Sequence, residues 1–356
     1  MDKIILTTGG TGGHIFPALA VGEVIRKNNP SAKLLFMGSN YGPESRLARA
    51  AGLEFYGLSA RGLLGRGIKA FPAAFMLAKS FFEARKVIRD FAPSIIAGFG
   101  GYASFAPAMA AKSLGIPLLI HEQNAIAGMG NRFLGRFADA ICVSQPATEG
   151  FAKTPILTGN PVREQIKRKI PGRSEKRLLI IGGSQGARGI NKFMAERMPL
   201  FRQAGARIWH QCGEKDYAWL KEVYEREGDS SWRLAPFVEN MGEAYDWADL
   251  AISRAGATAI AELCAVGLPS VLVPFPAAIR DHQTLNAKNL QKAGGAILIP
   301  EKDLDEAWAR KIIELLGNEQ NLKTMASRAA SLGKMDAAEK IASEMQKIAK
   351  KNDKEN

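Results

Sequence analysis

A chain of 356 residues exceeds what one hydrophobic core usually serves, and 46% hydrophobic residues is ordinary for a globular protein, so two domains are the natural reading. Forty-eight basic against 35 acidic side chains give a formal charge of +13, a bias toward anionic partners that charge alone cannot divide among nucleic acid, membrane surface and phosphorylated substrate. Cys142, Cys212 and Cys264 are odd in number and far apart, which argues against metal-ligand spacing and for reduced structural thiols in a cytoplasmic protein.

Only Ile4, Ile5 and Leu6 separate the charged start from a glycine turn, so no signal peptide is expected. Strands are predicted at 4–7, 34–37, 55–58, 95–97, 118–121, 140–143 and 156–158, then at 178–181, 207–211, 250–253, 270–273 and 296–299. Helical patterns lie between several of them. That alternation predicts an α/β protein with mostly parallel sheets covered on both faces. The uncharged stretch 91–111 is near membrane-spanning length, but Pro93, Gly98, Gly100, Gly101 and Pro107 break it, so no transmembrane segment is expected. Residues 159–173, GNPVREQIKRKIPGR, have the glycine, proline and basic character of a linker. The expected domains are 1–162 and 163–334, followed by a helix at about 335–350 and a disordered tail at 351–356.

Both halves begin alike. Residues 4–25 read IILTTGGTGGHIFPALAVGEVI and residues 178–198 read LLIIGGSQGARGINKFMAERM. Each is an apolar run, a glycine turn carrying a hydroxyl residue, and an amphipathic helical pattern. A strand feeding a helix through glycines leaves amides unpaired at the positive end of the helix dipole, which suits an anion such as phosphate. The dinucleotide fingerprint fails, because Ile15 stands where the third glycine belongs and the second strand ends at Gly38-Ser39-Asn40 without a carboxylate. The Walker pattern fails as well, since neither turn is followed by Lys-Ser or Lys-Thr.

Six motifs occur in order: Gly9 to His14, Gly98-Phe99-Gly100-Gly101-Tyr102, His121-Glu122-Gln123-Asn124, Gly159-Asn160-Pro161-Val162-Arg163, Gly182-Gly183-Ser184-Gln185-Gly186, and Asp281-His282-Gln283-Thr284 with Asn286-Ala287. Together they resemble the bacterial peptidoglycan glycosyltransferase family that converts lipid I to lipid II, over nearly the whole chain from about Lys3. The resemblance implies the GT-B architecture, two Rossmann-like domains with parallel sheets facing across a cleft, the first binding the lipid-linked acceptor and the second the sugar nucleotide. It implies transfer of N-acetylglucosamine from UDP-GlcNAc to the C4 hydroxyl of MurNAc in undecaprenyl-pyrophosphoryl-MurNAc-pentapeptide, with inversion. The expected place of work is the cytoplasmic face of the bacterial plasma membrane, peripherally bound, with cell-wall synthesis and division proteins as further partners.

Residue chemistry and the resemblance divide the labour as follows. Departure of UDP leaves a pyrophosphate, which the amides of Ser184-Gln185-Gly186 and the Ser184 hydroxyl could stabilise without metal. By resemblance Arg163 also lies at the donor site. A second helix start at Ala257-Thr258 supplies more amides, and Glu262 suits the vicinal hydroxyls of a ribose. The resemblance implies uracil recognition by backbone at Val238, and donor-sugar contacts from Gln283 and Asn124. For the general base His14 is the first choice and His121 the second, with Glu122 a third; His14 could equally contact the acceptor phosphate. Thr11, Gly12, Gly13 and Tyr102 are expected at the acceptor pyrophosphate.

Asp303-Leu304-Asp305 is a literal D-x-D, but its place after Ile299-Pro300 and before Trp308 reads as a helix cap, so no protein-bound metal and no cofactor are expected. Residues 61–89 hold Arg61, Arg66, Lys69, Lys79, Arg85, Lys86 and Arg89 against Glu83, with phenylalanines interleaved. Leu77, Phe81, Ala84, Ile88 and Phe91 follow helical spacing and are assigned to the core, leaving Phe71, Phe75 and Met76 for an anionic membrane surface. Two other functions fit less well. A UDP-sugar epimerase shares the fold but would lack the GGTGGH and basic-aromatic acceptor side, and nucleic-acid binding rests on charge alone, without a recognised module.

Overall fold

The computed structural model describes residues 1–59, 70–167, 175–228 and 231–355, with backbone alone at 70–74 and 353–355. Arg61, Arg66, Lys69, the Phe71 side chain and the linker stretch 168–173 lie outside the described residues. The chain divides into two compact units, Met1–Arg163 with Met335–Asn356, and Glu164–Lys334.

In the first unit the chain runs through β1 (Lys3–Thr7), α1 (Gly12–Asn28), β2 (Lys33–Ser39), α2 (Glu44–Ala50), β3 (Glu54–Leu58), α3 (Ala70–Phe91), β4 (Ile95–Gly98), α4 (Phe105–Ser113), β5 (Leu118–Glu122), α5 (Met129–Leu134), β6 (Ala140–Val143) and β7 (Ile156–Leu157). The second unit holds β8 (Arg177–Ile181), α6 (Arg188–Gln203), β9 (Arg207–Gln211), α7 (Glu214–Arg226), β10 (Trp232–Ala235), α8 (Met241–Trp247), β11 (Leu250–Ser253), α9 (Ala257–Val266), β12 (Ser270–Leu272), α10 (His282–Lys292), β13 (Ala296–Leu298), α11 (Glu306–Gly317) and α12 (Glu319–Ser331). The final helix, α13 (Ala337–Glu355), belongs to the first unit.

Both sheets are parallel and doubly wound, ordered β3-β2-β1-β4-β5-β6-β7 and β10-β9-β8-β11-β12-β13. The period of two along each strand explains the apolar runs, since both faces are covered. Ile4 and Leu6 pack with α1 and with Ile341, Ala342 and Met345 of α13, whereas Ile5 packs on the opposite face with Ala84, Ile88 and Ala108. Each such side chain, removed fully from water, contributes roughly 1.5–3 kcal/mol relative to exposure. In the second unit Leu178 and Ile180 face a core formed with Ile190, Phe193, Met194 and Phe201 of α6.

Two expectations need correction. Strand β10 is absent from the sequence reading, because WRLA has no β-branched run and sits half-exposed at the sheet edge. Helix α13 continues past Lys350 to Glu355, where a disordered tail was expected. Its lysines are good helix formers and sit at the negative end of the dipole. Cys142, Cys212 and Cys264 are free and buried, and burial pushes the Cys142 thiol up to about 12 and that of Cys212 to about 11.

Candidate active site

The first glycine turn lies at the carboxyl ends of β1 and β4, the usual ligand-binding edge of a doubly wound sheet. Gly9 and Gly101 let the two loops touch: a Cβ on Gly9 would come within 2.5 Å of Ala103 Cβ, and one on Gly101 would enter the Gly9 carbonyl. The same contact sets the Tyr102 ring beside Gly10. The Gly10 amide is already occupied, donating to Oε1 of Glu44 at 2.8 Å. Glu44 is fully buried at the start of α2, and its Oε2 has no hydrogen-bond partner. Thr11 is exposed and α1 begins at Gly12, so any anion would meet the turn from Thr11 onward.

His14 is half-buried on the first turn of α1, with Nδ1 2.9 Å from Gln123 Oε1. Gly100 leaves room for that ring, since a Cβ there would lie 3.2 Å from His14 Nδ1. Gln123 Nε2 sits 2.9 Å from Phe99 O and 3.1 Å from His121 Nδ1. His121 is completely buried, its Nε2 3.0 Å from Gly159 O, and burial lowers its pKa to about 4. Both of its nitrogens are engaged, so His121 is removed as a candidate base. Glu122 is removed too. Its carboxylate is buried and accepts from Asn124 N, Asn124 Nδ2, Gly128 N and Asn131 Nδ2, which makes it a clamp for the loop after β5.

The second glycine turn follows β8. Gly183 and Gly186 have φ of 78° and 75°, and the Gly186 amide closes the turn on Gly183 O at 3.0 Å. Ser184 and Gln185 at its tip are exposed. Helix α6 begins only at Arg188, so the turn's tip amides belong to the loop and not to the helix itself. Gln211 Nε2 holds the turn from below, bonding Gly183 O and Pro236 O. Deeper still, Asp216 takes bonds from Asn191 Nδ2, Trp219 Nε1 and Arg188, which outweigh its burial and hold its pKa down. His210 lies between Tyr224 Oη and Asn191 Oδ1, and burial lowers its pKa to about 3.

Around that turn, α9 starts at Ala257 with open space before Gly256. Glu262 is buried on α9, and its Oε2 accepts from Tyr245 Oη at 2.8 Å. Arg254, just before α9, bonds Val273 O and Pro274 O and pairs with Glu301. Gln283 Oε1 accepts from Phe275 N at 2.8 Å, which leaves its NH2 as the donor toward a ligand. Arg280 and Asp281 just before α10 hold φ of 55° and 52°, a left-handed pair that costs on the order of 1–3 kcal/mol per residue and marks this turn as constrained.

Two family models match the chain: the glycosyltransferase family 28 N-terminal domain over residues 4–143 and the glycosyltransferase family 28 C-terminal domain over 177–341. A UDP-N-acetylglucosamine–N-acetylmuramyl-(pentapeptide) pyrophosphoryl-undecaprenol N-acetylglucosamine transferase of Nitratidesulfovibrio vulgaris is 43% identical, over 98% of this chain and 97% of its own length. A protein of the same name from Pseudomonas savastanoi pv. phaseolicola is 40% identical over 95% and 96%. The crystal structure of Acinetobacter baumannii MurG matches with a TM-score of 0.78 and 31% identity, covering 98% of this chain and all of that one. The chain belongs to the MurG family. Its fold is GT-B. A Listeria monocytogenes UDP-N-acetylglucosamine 2-epimerase aligns at a TM-score of 0.68 with 14% identity, a likeness of fold alone.

Among the residues the MurG resemblance groups at the acceptor, the structure brings Thr11, Gly12, Gly13, His14 and Tyr102 together in the first unit. Ser184, Gln185, Gly186, Val238, Ala257, Thr258, Glu262 and Gln283 all lie in the second. Val238 is buried in the loop after β10, and Thr258 is buried on α9. Arg163 and Asn124, grouped with the donor, fall in the first unit: the Arg163 guanidinium stacks 4.1 Å from the Phe16 ring centroid, and Asn124 Nδ2 is bonded to Glu122. The sequence reading missed Glu44, Gln123 and Asn191. Glu44 had a usable signal as a first-turn acid after Gly42-Pro43, whereas nothing in sequence pairs Gln123 with His14.

Asp305 caps α11 by accepting from Trp308 N at 2.9 Å, the role read for the D-x-D. Asp281 makes no such cap and instead accepts from Thr284 Oγ1. Among the described residues no cluster of three or more His, Cys, Asp or Glu side chains is arranged to hold a metal ion, and no helix is long and apolar enough to cross a membrane. On α3, Ala84 and Ile88 are buried and Leu77, Phe81 and Phe91 half-buried. Phe75 is 72% exposed and Phe82, not singled out from sequence, 68%, while Met76 is half-buried.

Proposed function

We propose that this protein transfers N-acetylglucosamine from UDP-GlcNAc to the C4 hydroxyl of MurNAc in undecaprenyl-pyrophosphoryl-MurNAc-pentapeptide, converting lipid I to lipid II for peptidoglycan synthesis. The observation that carries this is the full-length identity, 43% over 98% of the chain, to a relative bearing that transferase name. The site chemistry agrees with it.

The second unit is the donor side. Exposed Ser184 and Gln185 at the tip of a braced turn receive the diphosphate, whose charge grows as the glycosidic bond breaks. Glu262, with one oxygen held by Tyr245, directs the other to the ribose hydroxyls, and the Gln283 amide donates to the sugar. The first unit is the acceptor side. Thr11, Gly12 and Tyr102 line the acceptor pyrophosphate, and His14 takes the C4 proton as that oxygen attacks the anomeric carbon from the face opposite UDP. One displacement inverts the configuration.

Exposed Phe75 and Phe82 share α3 with Lys79, Lys86 and Arg89, which supports peripheral binding to an anionic leaflet, the cytoplasmic face of the plasma membrane, where a lipid-linked acceptor resides. Co-sedimentation with vesicles containing anionic lipid tests this. It should drop several-fold in a Phe75→Ser/Phe82→Ser variant, and unchanged binding would remove the surface.

The activity itself is tested by incubating radiolabelled UDP-GlcNAc with a lipid I analogue. Label in the lipid product, dependent on acceptor, is the expected result. Conversion of UDP-GlcNAc to an epimer without any lipid would instead establish the epimerase reading.

A further inference from the structure

We propose that Gln123 is a positioning residue that fixes His14 as its Nδ1-protonated tautomer, leaving the Nε2 lone pair as the base. The inference rests on the reading of His14 above and extends it to a buried side chain behind that ring. Two backbone carbonyls, which can only accept, set the direction of the whole chain of bonds. Gly159 O lies 3.0 Å from His121 Nε2, so that nitrogen carries the proton. His121 is held neutral by burial, with its pKa near 4, and its Nδ1 is therefore an acceptor. Phe99 O lies 2.9 Å from the other end of the Gln123 amide. The Gln123 group that faces both Phe99 O and His121 Nδ1 must be the NH2, because an oxygen there would meet two acceptors.

Gln123 Oε1 is thereby turned to His14, 2.9 Å from Nδ1. An amide oxygen only accepts, so His14 Nδ1 donates and Nε2 is left unprotonated. Nε2 has no hydrogen-bond partner among the described residues. Gln123 is itself only 2% exposed, and with both amide atoms committed it has no alternative orientation that keeps these bonds. When Nε2 accepts the C4 proton, the Nδ1–H bond to Gln123 persists and spreads the new positive charge without a further proton transfer. The pair resembles in logic the carboxylate that orients a catalytic histidine, with a neutral amide in its place.

Long-range proton–nitrogen correlation of the His14 ring in the full-length protein reads the tautomer directly. The wild type should show Nδ1 protonated and Nε2 bare, and Gln123→Met a mixture of both forms. In transfer assays Gln123→Met should lower kcat by about 10²-fold, with UDP affinity unchanged within twofold. Gln123→Glu, which keeps an acceptor toward His14 but sets its second oxygen against Phe99 O and His121 Nδ1, should not restore kcat to the wild-type value. A wild-type ring protonated on Nε2, or a folded Gln123→Met with kcat within twofold of wild type, overturns the proposal. Failure of the underlying reading looks different: His14→Ala would then be fully active, or no lipid product would form, while the ring spectrum still reported Nδ1 protonation.

Discussion

The two glycine turns share a pattern in sequence and differ in what lies beneath them. Under the first, a buried carboxylate from Glu44 occupies the Gly10 amide, and the neighbouring histidine is wired to Gln123. Under the second, among the described residues, no such carboxylate bonds the turn's amides; Gln211 braces it from below and leaves Ser184 and Gln185 at an exposed tip. In the proposed reading, a glycine turn provides a place for backbone to approach a ligand, and the buried side chains behind it decide whether that place serves an anion or positions a base.

The sharpest way to break this contrast is to remove one side chain from each unit. His14→Ala should lower kcat by about 10²–10⁴-fold while UDP affinity, measured by calorimetry, stays within a factor of two. Glu262→Ala should do the reverse, weakening UDP about 10- to 100-fold, the loss expected for hydrogen bonds to a charged acceptor. If both variants lose donor affinity equally, the division between the turns is wrong.

A smaller effect separates the geometry of the second turn from its chemistry. Gly186 and Gly183 both have positive φ, but a Cβ on Gly186 would enter the Cys212 carbonyl whereas one on Gly183 meets open space. Gly186→Ala should cost roughly 1–3 kcal/mol of stability and weaken UDP, and Gly183→Ala about 1 kcal/mol from backbone strain alone. Thermal melts with and without UDP measure both. Equal melting temperatures would show that the close approach at Cys212 does not constrain the turn.

Much of the fold was legible because both sheets are buried on two faces, so that strands such as 250–253 and 207–211 stand out as short apolar runs between helical patterns. Strand β10 was not, because an edge strand needs apolar side chains on neither face throughout. The residues expected at the donor and at the acceptor fall in different units where a motif carries its own backbone geometry, as at Ser184 and Thr11. Arg163, expected with the donor, falls in the first unit, where its guanidinium stacks on the Phe16 ring of a helix nearly the whole unit away in sequence. Gln123 left no trace as a partner of His14, because a hydrogen bond between side chains so far apart in sequence has no periodic signature, whereas Glu44 showed only as a first-turn acid.

The smallest expected effect compares the buried histidines, one in each unit. His121 and His210 are held neutral, near 4 and near 3, chiefly by burial. Unfolded, each takes up a proton near 6.5, so the unfolded chain binds more protons between that value and the folded pKa. Their stabilising neutrality is complete above pH 6.5 and is lost as pH falls through the window. Between pH 7 and 5.5 the loss should be about 1 kcal/mol for each, read by chemical denaturation at several pH values. A loss of only about 1 kcal/mol would mean that one of the two rings is protonated in the folded protein, and an unchanged stability that both are.

The central claim is that the second turn, and not the first, receives the departing nucleotide. A crystal structure of the complex with UDP tests it most directly. The diphosphate should lie against Ser184 and Gln185, with the ribose hydroxyls within hydrogen-bond distance of Glu262. A diphosphate seated instead at Thr11 and Gly12 would contradict the account.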